Sequence, residues 1–146
     1  MKVVIQRAKN AKVEIDGRVN GSIENGLVVL VGFTYGDTIE DIDYIVNKIV
    51  NLRIFDDENG VMNKSVLDVD GSILSISQFT LYADTKKGRR PSYVNALKGE
   101  ESAKLYDLFN EKLSKEIHTE TGIFGADMKV TLTNDGPVTI VMESRE

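Results

Sequence analysis

Ser77-Gln78-Phe79-Thr80-Leu81 sets a hydroxyl, an amide, an aromatic ring and a second hydroxyl in consecutive positions. A strand needs no such cluster to pack, whereas a site for a polar ligand needs several donors and acceptors converging on one place. A second polar stretch, Asn134-Asp135-Gly136-Pro137-Val138-Thr139, lies near the C-terminal end. The two stretches together are read as an active site. Thr80 as a nucleophile would require a general base. The sequence supplies no obvious one, because His118 is its single histidine and a Ser-His-Asp triad would have to use it. If the chain is a hydrolase, proton handling then comes from substrate or water. The protein contributes geometry and backbone N–H groups around a developing oxyanion, with those of Phe79 and Thr80 as candidates.

Each of these features also has a plainer reading. Ser77 and Thr80 could simply hydrogen-bond backbone at a strand end. Gly136-Pro137 could be an ordinary turn, although a glycine is also where another chain approaches closest. His118 reads as a solvated helix terminus, where a cation is favoured. The run Lys86-Lys87-Gly88-Arg89-Arg90 places four cations in five residues; it is either a solvated loop or a local RNA contact.

The whole chain bounds these readings. Its 146 residues fit one domain, 1–146, with a sizeable core. The net charge of −5 excludes nucleic-acid binding through the overall field, so any RNA contact must be local. The absence of cysteine excludes disulfides, thiolate zinc sites and a cysteine nucleophile. With too few histidines for a zinc site, no metal or cofactor is expected. The opening Met1-Lys2-Val3-Val4-Ile5-Gln6-Arg7 lacks an apolar run long enough for a signal peptide, and no stretch is long and apolar enough to cross a membrane. A cytoplasmic protein with no membrane partner is expected.

The elements that must position the chemistry follow from periodicity. Val3 to Ile5 opens a strand that Val13 and Ile15 continue or repeat, and Asp16-Gly17 is a hairpin signal. Val19 to Ile23 is a short return strand. Asn25-Gly26 is a second turn, and 27–33 is a central strand buried on both faces. Apolar residues at 42, 45, 46, 49 and 50 predict a helix over 38–51, capped by Asp37 or Thr38. Arg53 to Phe55 is a short strand, and Met62 and Leu67 are candidate core residues in an irregular 61–69. Residues 71–76 alternate as a half-buried strand leading into the first motif. A long polar excursion, 84–99, is of a length usually functional. A second helix over 100–117 buries Ala103, Tyr106, Phe109, Leu113 and Ile117. Residues 122–127 form a loop, 128–134 a strand, 135–137 a turn and 138–142 the last strand. The sum is an α+β domain of mostly antiparallel, barrel-like sheet with two main helices.

At the two polar stretches the chain resembles the D-aminoacyl-tRNA deacylases. Ser77-Gln78-Phe79-Thr80-Leu81 and Asn134-Asp135-Gly136-Pro137-Val138-Thr139 look like that family's two signature motifs. Gln6-Arg7, the 87–92 segment and Thr121 to Met128 match as well. The resemblance implies hydrolysis of the ester between a D-amino acid and the terminal adenosine of tRNA, by a homodimer with sites at its interface. Gly136-Pro137 would be cis, would reach into the partner's site, would hold the substrate's α-ammonium through its carbonyls, and would block an L side chain. Arg7 would orient that motif. Ser77, Gln78, Phe79 and Thr80 would form the floor. Phe124, Ala126 and Met128 would lie near the terminal adenine, and Lys86, Lys87, Arg89 and Arg90 would contact RNA. Catalysis would rely on the RNA's own 2′-hydroxyl; the alternative makes Thr80 the nucleophile. A pocket that works by rejecting an L side chain cannot reject glycine on that ground, so glycyl-tRNA, as mischarged on tRNA-Ala, is an expected substrate.

Two other classes remain for comparison. One is a non-catalytic RNA-binding module using the 86–90 run. The other is a small-molecule-binding oligomer with a pocket at its interface, which would explain the polar cluster but not the basic loop.

Overall fold

Two long strands make the frame. In the computed structural model, which describes residues 1–145, β1 (Lys2–Ile15) and β2 (Arg18–Gly32) form an antiparallel hairpin. Asp16 and Gly17 close it with φ of 53° and 76°, the left-handed pair that a two-residue turn matched to strand twist demands. The second turn expected at Asn25-Gly26 does not occur, and β2 runs through it. Gly26 serves a close approach instead: a Cβ there would lie 1.8 Å from the Ser72 carbonyl oxygen of the neighbouring strand.

Thr38 caps α1 (Ile39–Asn51), and the Asp41 carboxylate reaches back to the Thr38 N–H at 2.9 Å, completing a capping box. A two-stranded ribbon follows, β3 (Phe55–Asp56) with β4 (Met62–Lys64). Met62 and Leu67 are exposed, against expectation, and Val66 is the fully buried residue of this segment. Within the ribbon Phe55 packs into the core, whereas Met62 and Asn63 stay exposed.

β5 (Ser72–Ser77) pairs parallel with β2, Leu27 opposite Ile73 and Val31 opposite Ser77. Parallel neighbours need a crossover, and α1 supplies it. The helix α2 (Gly99–Glu116) supplies the next, from β5 to β6 (Thr119–Thr121), also parallel. Ser102, rather than Ala103, is buried on α2 with Tyr106, Phe109 and Leu113. Finally β7 (Lys129–Glu143) runs antiparallel along β1. The sheet order is β6-β5-β2-β1-β7. The sheet is therefore mixed: antiparallel on the β1 side, as read from sequence, and parallel on the β5 side, where the crossovers were not recognised.

One sheet face packs Val3, Ile5, Leu27, Val29 and Ile73 against Ile42, Ile45 and Ile49 of α1 and Phe109 and Leu113 of α2. The other face gathers Ala8, Val13, Ile23, Val28, Leu74 and Ile76. Asn10 pairs with neither neighbour and has φ 50°. Such a bulge bends a strand, and it lets the hairpin's far end fold over the second face. The reading of the continuous apolar run 27–33 as buried on both faces holds, with Leu30 alone half-buried. The half-buried reading of 71–76 does not, because Ile73, Leu74, Ser75 and Ile76 are all buried. Ser75 lies beneath α2, and the Tyr106 hydroxyl donates to its carbonyl at 2.8 Å.

Candidate active site

β5 carries the first motif to the edge of a cavity. The Gln78 N–H donates to the Val31 carbonyl at 2.7 Å, extending the ladder one residue beyond the strand. The chain then tightens into one 3₁₀ turn, Phe79–Tyr82. The first N–H groups of such a turn have no partner within it. Neither Phe79 nor Thr80 donates its N–H to a protein acceptor among the described residues. Two adjacent backbone donors are thus left free beside the cavity. The turn sits close on β2 because residue 32 is glycine: a Cβ there would meet the Gln78 carbonyl oxygen at 2.8 Å and Leu81 Cβ at 3.3 Å. Sequence reasoning missed Gly32, since its role depends on the turn that follows β5, far along the chain.

The cavity has a volume of about 450 Å³ and takes in Ser77, Gln78 and Phe79 from the motif, Phe124, Ala126 and Met128 from the 122–128 loop, and Phe33, Leu97, Lys98 and Ser102. Six of the predicted site residues therefore meet. Phe124 also packs on Tyr106, ring centroids 6.2 Å apart; burial pushes the Tyr106 hydroxyl pKa up, so it stays a neutral donor. Thr80 is exposed and does not line the cavity. His118 lies at the opposite end of β5, where its carbonyl accepts from Ile73 N–H. Ser77 lies four steps along the strand from Ile73, roughly 13 Å. His118 pairs instead with Glu120 at 2.9 Å. No group of three or more carboxylates and histidines that could hold a metal is found among the described residues.

The second motif is built differently. Asp135-Gly136-Pro137 was expected to be a turn between two strands, but the chain keeps its direction and stays on β1. Gln6 pairs with Thr139 and Ala8 with Asn134, so residues 135–138 stand opposite the single Arg7. The motif is a large bulge on an edge strand. The Gly136-Pro137 bond is cis, and Gly136 has φ +122°; a Cβ there would lie 2.7 Å from the Val138 nitrogen and 3.2 Å from Arg7 Nη2.

Arg7 is 7% exposed. Its Nε donates to the Asp135 carbonyl at 3.2 Å and lies 3.3 Å from the Asp135 carboxylate. Its Nη1 donates to the Ile54 carbonyl at 2.8 Å and reaches the Asp56 carboxylate at 3.5 Å. Asn134 closes the bulge from inside. Its Nδ2 donates to the Arg7 and Val138 carbonyls, both at 3.0 Å, and its Oδ1 accepts from Thr139 Oγ1 at 2.9 Å and Gln6 Nε2 at 3.3 Å. The ties made by Gln6, Asn134 and Thr139 were not foreseen. Two polar residues flanking a bulge at matching register are the signal that would have found them.

Within one chain the two motifs do not share the cavity. β5 and β7 are three strand positions apart, roughly 14 Å across the sheet, and Gly136 and Pro137 are exposed. The basic run lies apart as well. Lys86, Lys87, Arg89 and Arg90 are exposed on a loop whose base is closed by two hydrogen bonds of 2.8 Å between Asp84 and Ser92, and none of the four lines the cavity.

A mixed sheet with two crossover helices thus carries free backbone donors beside a half-apolar cavity, whose lining holds no histidine and one carboxylate, Asp127, tied to Lys129 at 2.7 Å. Residues 4–143 match the family model described as D-Tyr-tRNA(Tyr) deacylase, and the chain belongs to that family. It is similar to the D-aminoacyl-tRNA deacylase of Bacillus cytotoxicus, 58% identical over 99% of this chain and 100% of the relative. It is equally similar to that of Geobacillus sp. (strain WCH70), 58% identical over 100% and 97%. The solved structure of c-Myc DNA Unwinding Element Binding Protein superposes with a TM-score of 0.95 at 41% identity, covering both chains fully. A probable eukaryotic D-amino acid tRNA deacylase shares the fold, with a TM-score of 0.85 at 15% identity.

Proposed function

We propose that the protein hydrolyses the ester joining a D-amino acid to the terminal adenosine of tRNA, releasing the free amino acid and tRNA as a proofreading step of translation in the cytoplasm. The observation that carries this reading is the pair of free N–H groups, Phe79 and Thr80, at the rim of a cavity that offers no histidine and whose one carboxylate, Asp127, is paired with Lys129. Donors fixed in advance at a developing oxyanion are worth ~10²-fold or more each, and they suit an ester whose neighbouring ribose 2′-hydroxyl can assist the attack. The nucleoside lies against Phe124, Ala126 and Met128. Its ester carbonyl points at the two N–H groups. Water adds to the carbonyl carbon, and the ribose oxygen leaves with a proton.

Chiral selection comes from a second copy of the chain. Gly136 and Pro137 stand exposed on the edge strand, away from their own cavity, which supports their entering a partner's. There their carbonyls hold the α-ammonium and leave no room for an L side chain. Arg7 and Asn134 fix the bulge. Glycyl-tRNA, as mischarged on tRNA-Ala, is admitted because glycine has no side chain to reject. The Lys86–Arg90 run contacts the RNA. The test is deacylation of matched D-tyrosyl- and L-tyrosyl-tRNA, with EDTA as a control. Rapid loss of the D ester alone is expected. Equal loss of both would retain the hydrolase and discard the role of Gly136-Pro137.

The cations of the 86–90 loop, which form no ion pair among the described residues, favour one second reading, a non-catalytic RNA-binding module. Absence of turnover with tRNA binding intact would establish it.

A further inference from the structure

Two charged side chains line the cavity, Lys98 and Asp127. Asp127 is neutralised by Lys129 at 2.7 Å, whereas Lys98 has no carboxylate within 4.0 Å among the described residues. The Lys98 ammonium stands over two rings, 5.4 Å from the Phe79 centroid and 5.5 Å from that of Tyr93. Those rings meet edge-on at 5.1 Å. A cation held over a pair of aromatic faces keeps its position without being neutralised. Lys98 is also the N-cap residue of α2 and caps it with no side-chain bond. Ser102, one turn on, is 3% exposed and lines the same cavity, and its hydroxyl donates to no group among the described residues.

We infer that Lys98 binds the 5′-phosphate of the terminal adenosine and so fixes which way round the aminoacyl-nucleoside enters. This rests on the deacylase reading and deepens it. The aminoacyl end of the substrate carries an ammonium, which Lys98 repels. The phosphodiester at the other end of the same nucleoside carries the charge that Lys98 attracts. One lysine therefore disfavours the reversed pose and favours the one that brings the ester to the Phe79 and Thr80 N–H groups. The ring of Phe79 carries the cation while its backbone N–H faces the ester, so both ends of the substrate are referenced to one residue.

The experiment uses 5′-AMP and adenosine as competing probes of D-tyrosyl-tRNA cleavage by the full chain. A charge-assisted contact to phosphate predicts that 5′-AMP inhibits ~10-fold more strongly than adenosine. Lys98→Met should remove that preference by weakening 5′-AMP alone, and Lys98→Arg should keep most of it. In the steady state, Lys98→Met should raise KM for the tRNA ester more than it lowers kcat. Equal inhibition by the two probes in the unmodified protein would overturn the inference. So would Lys98→Met weakening both probes alike, which would assign Lys98 to packing of Phe79 and Tyr93, or a failure of 5′-AMP to inhibit at millimolar concentration. If the unmodified protein cleaves no D ester, the deacylase reading fails. Calorimetric titration of the two nucleotides then still decides the phosphate contact, by the same difference and its loss in Lys98→Met.

Discussion

The two motifs are held in place by opposite means. The turn at the end of β5 is positioned by backbone: the Gln78 N–H on Val31, the tight 3₁₀ turn, and the missing side chain at Gly32. The bulge on β7 is positioned by side chains, with Arg7 outside and Asn134 inside. A floor made of backbone is insensitive to which side chains it carries, provided nothing pushes it. A bulge tied by side chains fails when one tie is cut. Substitutions should divide along that line.

The largest effect is expected at Arg7→Ala. The guanidinium is buried, and its loss strands the Ile54 and Asp135 carbonyls together with two carboxylates that are partly solvated. Deacylation of D-tyrosyl-tRNA should fall ~10²-fold, with a stability loss of about 1–3 kcal/mol, measured by steady-state rates and urea unfolding. Retention of full rate and stability would mean the bulge holds itself.

Next is Gly32→Val. The new side chain must displace the Gln78 carbonyl and with it both free N–H groups. We expect kcat to fall ~10²-fold while the thermal midpoint shifts by only a few degrees. An unchanged kcat would show that the floor is not set by its fit to β2.

Thr80→Ala should do much less, lowering kcat less than ~10-fold, because the side chain is exposed and the proposed mechanism uses only its N–H. A loss of ~10⁴-fold in a folded protein that still binds tRNA would restore Thr80 as the nucleophile.

The smallest effect serves as a control away from both motifs. Burial alone would raise the Asp41 carboxyl pKa, but bonds from Ser144 and the Thr38 N–H, with Arg145 nearby, outweigh it and hold it below its ordinary value. A folded-state pKa lowered in this way gives stability that is present above the unfolded value and is lost as pH falls through the folded one. Asp41→Asn should therefore cost about 1 kcal/mol at neutral pH, should cost progressively less below the carboxylate range, and should leave the ratio of D to L cleavage unaltered.

How far the sequence predicted all this divides in a similar way. Local signals were sound: the Asp16-Gly17 hairpin, the capped α1, and the stripe of Tyr106, Phe109 and Leu113. Neighbours distant in the chain were not predicted. Asn25-Gly26 carries a turn signal, yet Gly26 is glycine because Ser72 lies against it, a fact that exists only once β5 is placed. Ser75 looked like the wet side of a strand because nothing in sequence says that α2 covers it. Asp135-Gly136-Pro137 has turn composition, and only pairing of both flanks with β1 makes it a bulge. The first motif was legible as a strand end, which is local, whereas the segments that close the cavity around it are distant in the chain; the second motif's place beyond its own cavity could be read only through resemblance.

The bulge has one more consequence. β7 is an edge strand of fifteen residues, about 50 Å of backbone with one side unpaired, and long flat edges invite pairing with any extended chain. Residues 135–138 break that edge near its middle, and Pro137 offers no N–H. What remains is two short runs rather than one long template. The distortion that presents Gly136 and Pro137 also keeps the sheet from growing, so a variant that straightened it should gain a tendency to polymerise as well as lose its motif.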